Sequence, residues 1–269
     1  MGQVLPVALG RGTGLLQAAN PGEMTLDGTN TYVVFDPSVR FLQAGTPVIV
    51  VDPGPDLDEH VAALAQLEVQ LVLITHRHAD HTEAIDHLHE LTGAPVRAWL
   101  PEHCRQAPVL ADGEVISAAG TSLSVLHTPG HTSDSVCLVR TGAGAGLFSG
   151  DTILGRGTTI IDFPDGTLAD YLHSLGLLAN LLEAQDLPLR PGHGEQRAGA
   201  RQIVAQYQAH RASRLEQVRA ALAQLGQQAG TASTEAVLEL VYPGLEPRLV
   251  PAATHSLQAQ LHYLAAARH

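Results

Sequence analysis

The chain has 269 residues, 45% of them hydrophobic, enough for a large core and a second small domain. Its formal charge of −12, from 27 acidic against 15 basic residues, argues against a general polyanion binder and leaves room only for a local Arg patch. All 15 basic residues are Arg, so a Walker A phosphate loop and Schiff-base chemistry are excluded, and no Gly-x-Ser-x-Gly nucleophile elbow occurs. Cys104 and Cys137 make no ligand-like pair, which reads as a reducing cytoplasm. The start, Met1-Gly2-Gln3-Val4-Leu5, lacks the basic segment and apolar stretch of a secretion signal. No run approaches the ~18 apolar residues of a membrane span. A cytoplasmic protein without membrane contact is expected.

In chain order, Gly10-Arg11-Gly12-Thr13-Gly14 reads as a turn or hairpin tip, not a nucleotide cradle. Strand-like stretches at 31–35 and 48–51 are joined through the turn signature Asp36-Pro37-Ser38. Residues 56–67 place apolar side chains at 57, 61, 64 and 67, the stripe of a helix facing a core. Leu71-Val72-Leu73-Ile74 reads as a buried strand. A helix over 81–91, closed by Gly93, buries Ile85, Leu88 and Leu91 and turns His87 and Glu90 outward. Strand-like runs follow at 123–126, at 146–149 after the glycine-rich tip 142–146, and at 187–190. Before the last of these, Asp165-Gly166-Thr167 and Leu168-Ala169-Asp170 form a capping box. Its helix carries Tyr171, Leu172, Leu175, Leu178 and Leu182. His60 and His173, both on helices, read as ordinary core or surface histidines.

From about residue 199 the pattern is helix only. Residues 200–225 carry Val204, Tyr207, Leu215, Val218, Leu222 and Leu225 at helical spacing. A short helix follows Ser233-Thr234-Glu235, Tyr242-Pro243-Gly244 breaks the chain, and residues 251–268 align Leu257, Leu261 and Leu264. Strands alternating with helices predict a layered α/β fold. The change of pattern divides the chain into 1–198 and 199–269. The last helix offers only His262 and Arg268 as cationic contacts, fewer than a groove-reading helix carries, so the tail reads as packing and pocket wall.

The densest chemistry is Thr75-His76-Arg77-His78-Ala79-Asp80-His81, directly after the 71–74 strand. Residues two apart on an extended stretch point the same way, so His76 and His78 can grip one ion. Asp80 and His81, where the chain turns into a helix, can reach a second. Nitrogen and oxygen ligands suit zinc, and also manganese, iron or cobalt. His87 and His89 read as surface histidines. Two ions need further ligands, and three strand-end turns supply them: His127-Thr128-Pro129-Gly130-His131, Gly150-Asp151 and Gly192-His193-Gly194. Each final ligand follows a glycine, which lets the backbone turn tightly beside an ion.

His76-x-His78-x-Asp80-His81, followed in order by His131, Asp151 and His193, resembles the metallo-β-lactamase superfamily, in the dinuclear hydrolase branch that contains glyoxalase II. A narrower likeness runs nearly end to end, through Asn20-Pro21-Gly22, residues 25–32, residues 127–134 and Ser149-Gly150-Asp151-Thr152-Ile153-Leu154-Gly155. These stretches are similar to the beta-lactamase-like protein 2 group, and the three tail helices resemble its small winged-helix-like tail. The resemblance implies a four-layer αββα sandwich with a C-terminal all-helical, winged-helix-like domain. It implies two divalent metal ions, zinc first: one held by His76, His78 and His131, the other by Asp80, His81 and His193, with Asp151 bridging. Asp80 and Asp151 would orient a metal-bridging hydroxide that attacks the substrate. By adjacency Thr75 and Thr152 are candidates to fix the imidazoles. Asn30, Arg156, Thr158 and Thr159 fall in stretches matching the narrower group and are candidate substrate contacts, with turn stabilisation as the alternative.

Three functions compete. A dinuclear hydrolase of a small ester, thioester or lactone is favoured by the acidity of the chain. An endoribonuclease acting on single-stranded RNA is supported by the end-to-end likeness, but the positive groove and stacking aromatics it needs are scarce. An iron-binding redox protein comes last, because no flavin-binding domain is visible.

Overall fold

The computed structural model describes residues 5–266; Met1 to Val4 and Arg268, named above, lie outside them. The chain forms two compact units. One takes in the chain up to His127, Asp134–Gly157 and Asp186–Ala200; the other takes in Thr128–Ser133, Thr158–Gln185 and the chain from Arg201 on.

The first unit contains both sheets. Six strands, β1 (Val7–Gly10), β2 (Thr13–Gln17), β3 (Asn30–Val34), β4 (Pro47–Val51), β5 (Glu68–Leu73) and β6 (Val96–Arg97), lie side by side in sequence order. The first four are antiparallel, whereas β4, β5 and β6 run parallel. Parallel neighbours need crossovers, and α1 (Asp58–Leu64), α2 (Ala79–Thr82) and α3 (Ile85–Thr92) occupy them. The second sheet has the order β11-β10-β9-β8-β7, made from β7 (Val115–Ala118), β8 (Thr121–His127), β9 (Val136–Arg140), β10 (Gly146–Gly150) and β11 (Leu189–Pro191).

The continuous apolar runs of β3 and β4 follow from burial on both faces. Val33, Val48 and Val50 join Val61, Leu64, Ile85 and Leu88 in a core on the helix side. Tyr32, Val34, Ile49 and Val51 pack with Leu123, Val125, Leu138 and Phe148 between the sheets. Period-two alternation sends neighbours to opposite cores. The glycine-rich stretches 10–14 and 142–146 sit at the β1–β2 and β9–β10 connections, as expected.

Two local expectations need correction. The helix over 81–91 is broken into α2 and α3, because Ala84 N–H donates to Gly54 O at 3.1 Å rather than continuing the helical ladder. Leu91 is 56% exposed, not buried. Steps of three residues drift by about 60° each around a helix, so Leu91 has rotated away from the face held by Ile85. Gly93 does close α3, with φ +68°.

The second unit is helical: α4 (Leu168–Ala184), α5 (Arg201–Leu225), α6 (Thr234–Val241) and α7 (Val250–Ala266). Thr167 caps α4 by accepting from Asp170 N, and Ser233 caps α6 by accepting from Ala236 N, each satisfying an otherwise orphaned donor. Leu257, Leu261 and Leu264 are buried along α7. Among the described residues after Arg201 there is no strand, hence no wing. No helix of the described residues is long and apolar enough to cross a membrane.

Candidate metal centre

The parallel pairings bring ligand-bearing ends together. β4 and β5 finish side by side, Val51 opposite Leu73, which places Asp52 next to Thr75 and His76. β10 and β11 likewise pair Gly150 with Pro191, so Asp151 and His193 leave the sheet as neighbours. Gly150, at φ +46°, would press any Cβ into Thr75 Oγ1, a close approach that glycine alone permits. Thr75 O in turn accepts from Val136 N at 2.8 Å, tying the two sheets at this end.

Four imidazoles are each held through Nδ1 by an oxygen. His76 Nδ1 lies 3.1 Å from Thr75 Oγ1, and His81 Nδ1 lies 2.8 Å from Asp52 Oδ2. His131 Nδ1 lies 2.6 Å from Ile160 O, and His193 Nδ1 lies 3.3 Å from Gly28 O. Carbonyl and carboxylate oxygens only accept, so His81, His131 and His193 carry their proton on Nδ1 and turn Nε2 towards the cluster, and His76 does the same because the Thr75 hydroxyl spends its proton on Asp52. His78 differs, presenting Nδ1, 3.1 Å from His76 Nε2.

The ligand atoms form two groups, His76, His78, His131 and Asp151, and Asp80, His81 and His193, with the atoms of each within 4.8 Å of one another. Asp151 also faces the second group, with Oδ1 3.6 Å from His81 Nε2 and Oδ2 3.2 Å from His193 Nε2, so it is shared by both groups. A tetrahedral cation with ligands at about 2.0–2.1 Å sets its ligand atoms about 3.3 Å apart. The second group shows these edges: His81 Nε2 to His193 Nε2 is 3.3 Å, His193 Nε2 to Asp80 Oδ2 3.2 Å, and His81 Nε2 to Asp80 Oδ2 3.4 Å. The residues fit divalent metal ions.

The electrostatics agree. Burial lowers the pKa of His193, but Asp151 and Asp80 outweigh it and hold the group up at about 10. Burial also opposes protonation of His81, which Asp52 and Asp151 nevertheless keep above its ordinary value. For Asp80, burial raises the pKa, and the His193 hydrogen bond with the His81 charge brings it below the carboxylate range. Carboxylates and imidazoles here converge on positive charge, which a cation supplies in place of protons.

Of the expected supporting residues, Thr75 does fix an imidazole: its hydroxyl donates to Asp52 Oδ2 at 2.7 Å and so accepts from His76. Thr152 is buried. Thr159 is buried with Oγ1 3.1 Å from His131 Nδ1, and Thr158 is half-buried beside it. Asn30 is 1% exposed and donates to Pro191 O and Gly194 O, both at 2.9 Å, clamping the His193 turn. Arg156 makes a two-pronged exposed pair with Asp27, at 2.7 and 3.0 Å. His60, His87 and His89 stay outside both ligand groups, on Thr31, Asp56 and Ala94 O respectively, and His173 is exposed.

Sequence reasoning missed Asp52 and Thr29. Asp52 accepts from Thr75 N and Thr75 Oγ1, both at 2.7 Å, as well as from His81. Thr29 donates to Asp80 Oδ2 at 2.8 Å. Asp52 ends the strand-like run 48–51, the same signal that singled out Asp151. Its φ of +54° is a region that Asp tolerates and bulkier residues avoid.

Comparison with known proteins matches residues 24–236 to the metallo-beta-lactamase superfamily. The chain belongs to that superfamily. Its two mixed sheets with helices have the αββα architecture of the superfamily, and a helical C-terminal region follows. An atrochrysone carboxyl ACP thioesterase from Aspergillus fumigatus is 35% identical over 65% of this chain and 53% of its own length. The chain thus spans about half of that relative. A beta-lactamase-like protein 2 homolog from Caenorhabditis elegans is 32% identical over 74% of this chain and 67% of its own. A beta-lactamase domain protein from Burkholderia ambifaria has the same fold, with a TM-score of 0.77 at 24% identity, over 97% of this chain and 89% of the other.

Proposed function

We propose that this superfamily member is a dinuclear metal-dependent hydrolase of a small thioester, ester or lactone, with thioesters first. The observation that carries the reading is the set of imidazoles pre-turned through Nδ1, facing ligand atoms at cation-edge spacings. The thioesterase name of the Aspergillus relative supports the substrate class. His76, His78 and His131 would hold one ion, Asp80, His81 and His193 the other, and Asp151 would face both, with zinc the first choice. Two such ions lower the pKa of water towards neutrality and polarise a carbonyl oxygen. The chain's own work is positioning. Asp52 keeps the His81 proton on Nδ1, Thr29 pins Asp80 in one rotamer, and Asn30 holds the His193 turn.

The test is turnover of a panel of thioesters, esters and lactones beside a single-stranded RNA by metal-reconstituted protein, with Asp151→Asn as the blank. Thioester cleavage that needs about two equivalents of metal, and is lost in Asp151→Asn, is the expected result. RNA cleavage faster than any ester would overturn the substrate class in favour of the phosphodiesterase reading. Full activity of Asp151→Asn on every substrate would overturn the metal mechanism.

A further inference from the structure

A cavity of about 200 Å³ lies within the helical unit, among α5, α7 and residues 158–160. Arg211, Arg214, His210, Tyr242, Gln260 and Ile160 are among its walls, and among the described residues no carboxylate lines it. In a chain with 27 acidic and 15 basic residues, this is a local reversal of charge. The positive field has a second sign: burial and the charges of Arg211 and Arg214 push the His210 pKa down.

The two guanidiniums are held in place yet unmatched. Arg211 is 3% exposed and stacks over the Tyr171 ring at 4.9 Å. Its Nη2 donates to Thr159 O at 2.5 Å, whereas its buried Nε has no hydrogen-bond partner. Arg214 stacks on Tyr242 at 4.5 Å and donates from Nη1 to Gln217 Oε1 at 2.7 Å. Among the described residues neither has a carboxylate partner. Gln260, 2% exposed, also has a buried Oε1 without a partner, and an amide exchanges its O and N without leaving its plane. A buried charged donor left unmatched is costly, and such a group calls for an acceptor. A planar fork stacked on an aromatic ring is the usual means of grasping a carboxylate or phosphate.

We propose that this cavity is an anion subsite that takes a carboxylate or phosphate carried by the substrate, so that the enzyme selects anionic thioesters or esters over neutral ones. The proposal rests on the hydrolase reading and deepens it. Its wall is the segment that anchors a metal ligand: Arg211 holds Thr159 O, while Thr159 Oγ1 and Ile160 O hold His131 Nδ1. An anion on Arg211 therefore sits two hydrogen-bonded links from His131.

The test uses the full metal-loaded protein and three thioesters of one acyl group, with thiol arms ending in a carboxylate, a phosphate or a neutral amide. The expected kcat/KM ratio of anionic to neutral substrate is about tenfold or more, from one charge-assisted contact. Arg214→Gln and Arg211→Met should bring that ratio close to one, and Arg214→Lys should keep part of it. Arg219→Gln, on the same helix but exposed and paired with Glu216, should preserve it. Whichever arm, carboxylate or phosphate, shows the preference names the source of the anion. Independently, acetate and inorganic phosphate are titrated into arginine-labelled protein, and the Arg211 Nε resonance should move. If Arg211→Met fails to fold, the half-buried Arg214→Gln carries the test. Movement of Nε without turnover of any thioester would leave the subsite standing and sink the hydrolase reading. Turnover with a ratio near one in wild type, and a stationary Nε, would overturn the subsite alone.

Discussion

Asp52→Asn isolates the group that sets the His81 proton. The change keeps the shape of the side chain and one carbonyl oxygen, which can still accept from Thr75 N. The new NH2 replaces Oδ2, which now accepts from both Thr75 Oγ1 at 2.7 Å and His81 Nδ1 at 2.8 Å. The Thr75 hydroxyl can rotate and become the acceptor. The His81 N–H cannot, so two donors meet unless the imidazole moves its proton to Nε2. That atom faces Asp80 and His193 at 3.4 and 3.3 Å, and once protonated it no longer binds a cation. Losing one hydrogen bond to a charged group costs about 1.5–3 kcal/mol, which converts to about 10–150-fold in affinity. This agrees with the roughly 10–100-fold seen when outer partners of metal ligands are removed. Chelator-competition titration should therefore show the Asp80–His81–His193 ion weakened by that factor, with a smaller change at the other group. Equal affinity of Asp52→Asn and wild type for both ions would refute the tautomer argument.

Three further outcomes follow from the same geometry. His60 is 7% exposed, and burial holds its pKa at about 4 against 6.5. The folded state thus refuses a proton that the unfolded chain accepts. The stability is present above pH 6.5 and is lost as pH falls towards 4, by up to about 3 kcal/mol. Denaturant titrations of metal-free wild type and His60→Gln at pH 7 and 4 should differ in pH dependence by that order, and parallel curves would contradict it. Gly192→Ala would push a Cβ onto Asp151 Oδ1 and to 2.8 Å from His81 Cε1; metal content after reconstitution should fall below one equivalent while circular dichroism stays native. Asn30→Ala removes two bonds that hold the His193 turn, at about 2 kcal/mol in melting experiments, and should weaken the ion on His193 more than that on His76.

Much of the centre was legible because ligand chemistry is local. His76, His78, Asp80 and His81 lie within six residues, and His131, Asp151 and His193 each follow a glycine at a strand end. The strand runs at 48–51 and 71–74 were equally legible, since burial on both faces demands uninterrupted apolar residues. The β1, β2 and β7 strands were not. Outer and short strands such as Val7–Gly10, with its mostly exposed pattern, carry little hydrophobic signal. The 81–91 helix failed for another reason: Ala84 bonds to Gly54, thirty residues away, which no local pattern reports.

The sequence by itself determined which residues carry ligand chemistry at strand ends, because ligand type and backbone freedom are properties of single positions. Only the tertiary structure decided how those residues are used. Pairings such as His81 with Asp52, His193 with Gly28 O, and Asn30 with Pro191 O span 29, 165 and 161 residues. They depend on where the parallel strands end and which way a carbonyl points. The same distinction separates Arg156, whose exposed guanidinium finds Asp27, from Arg211, whose buried one stacks on Tyr171. Composition counts the two alike; folding neutralises one with a carboxylate and leaves the other beside a cavity.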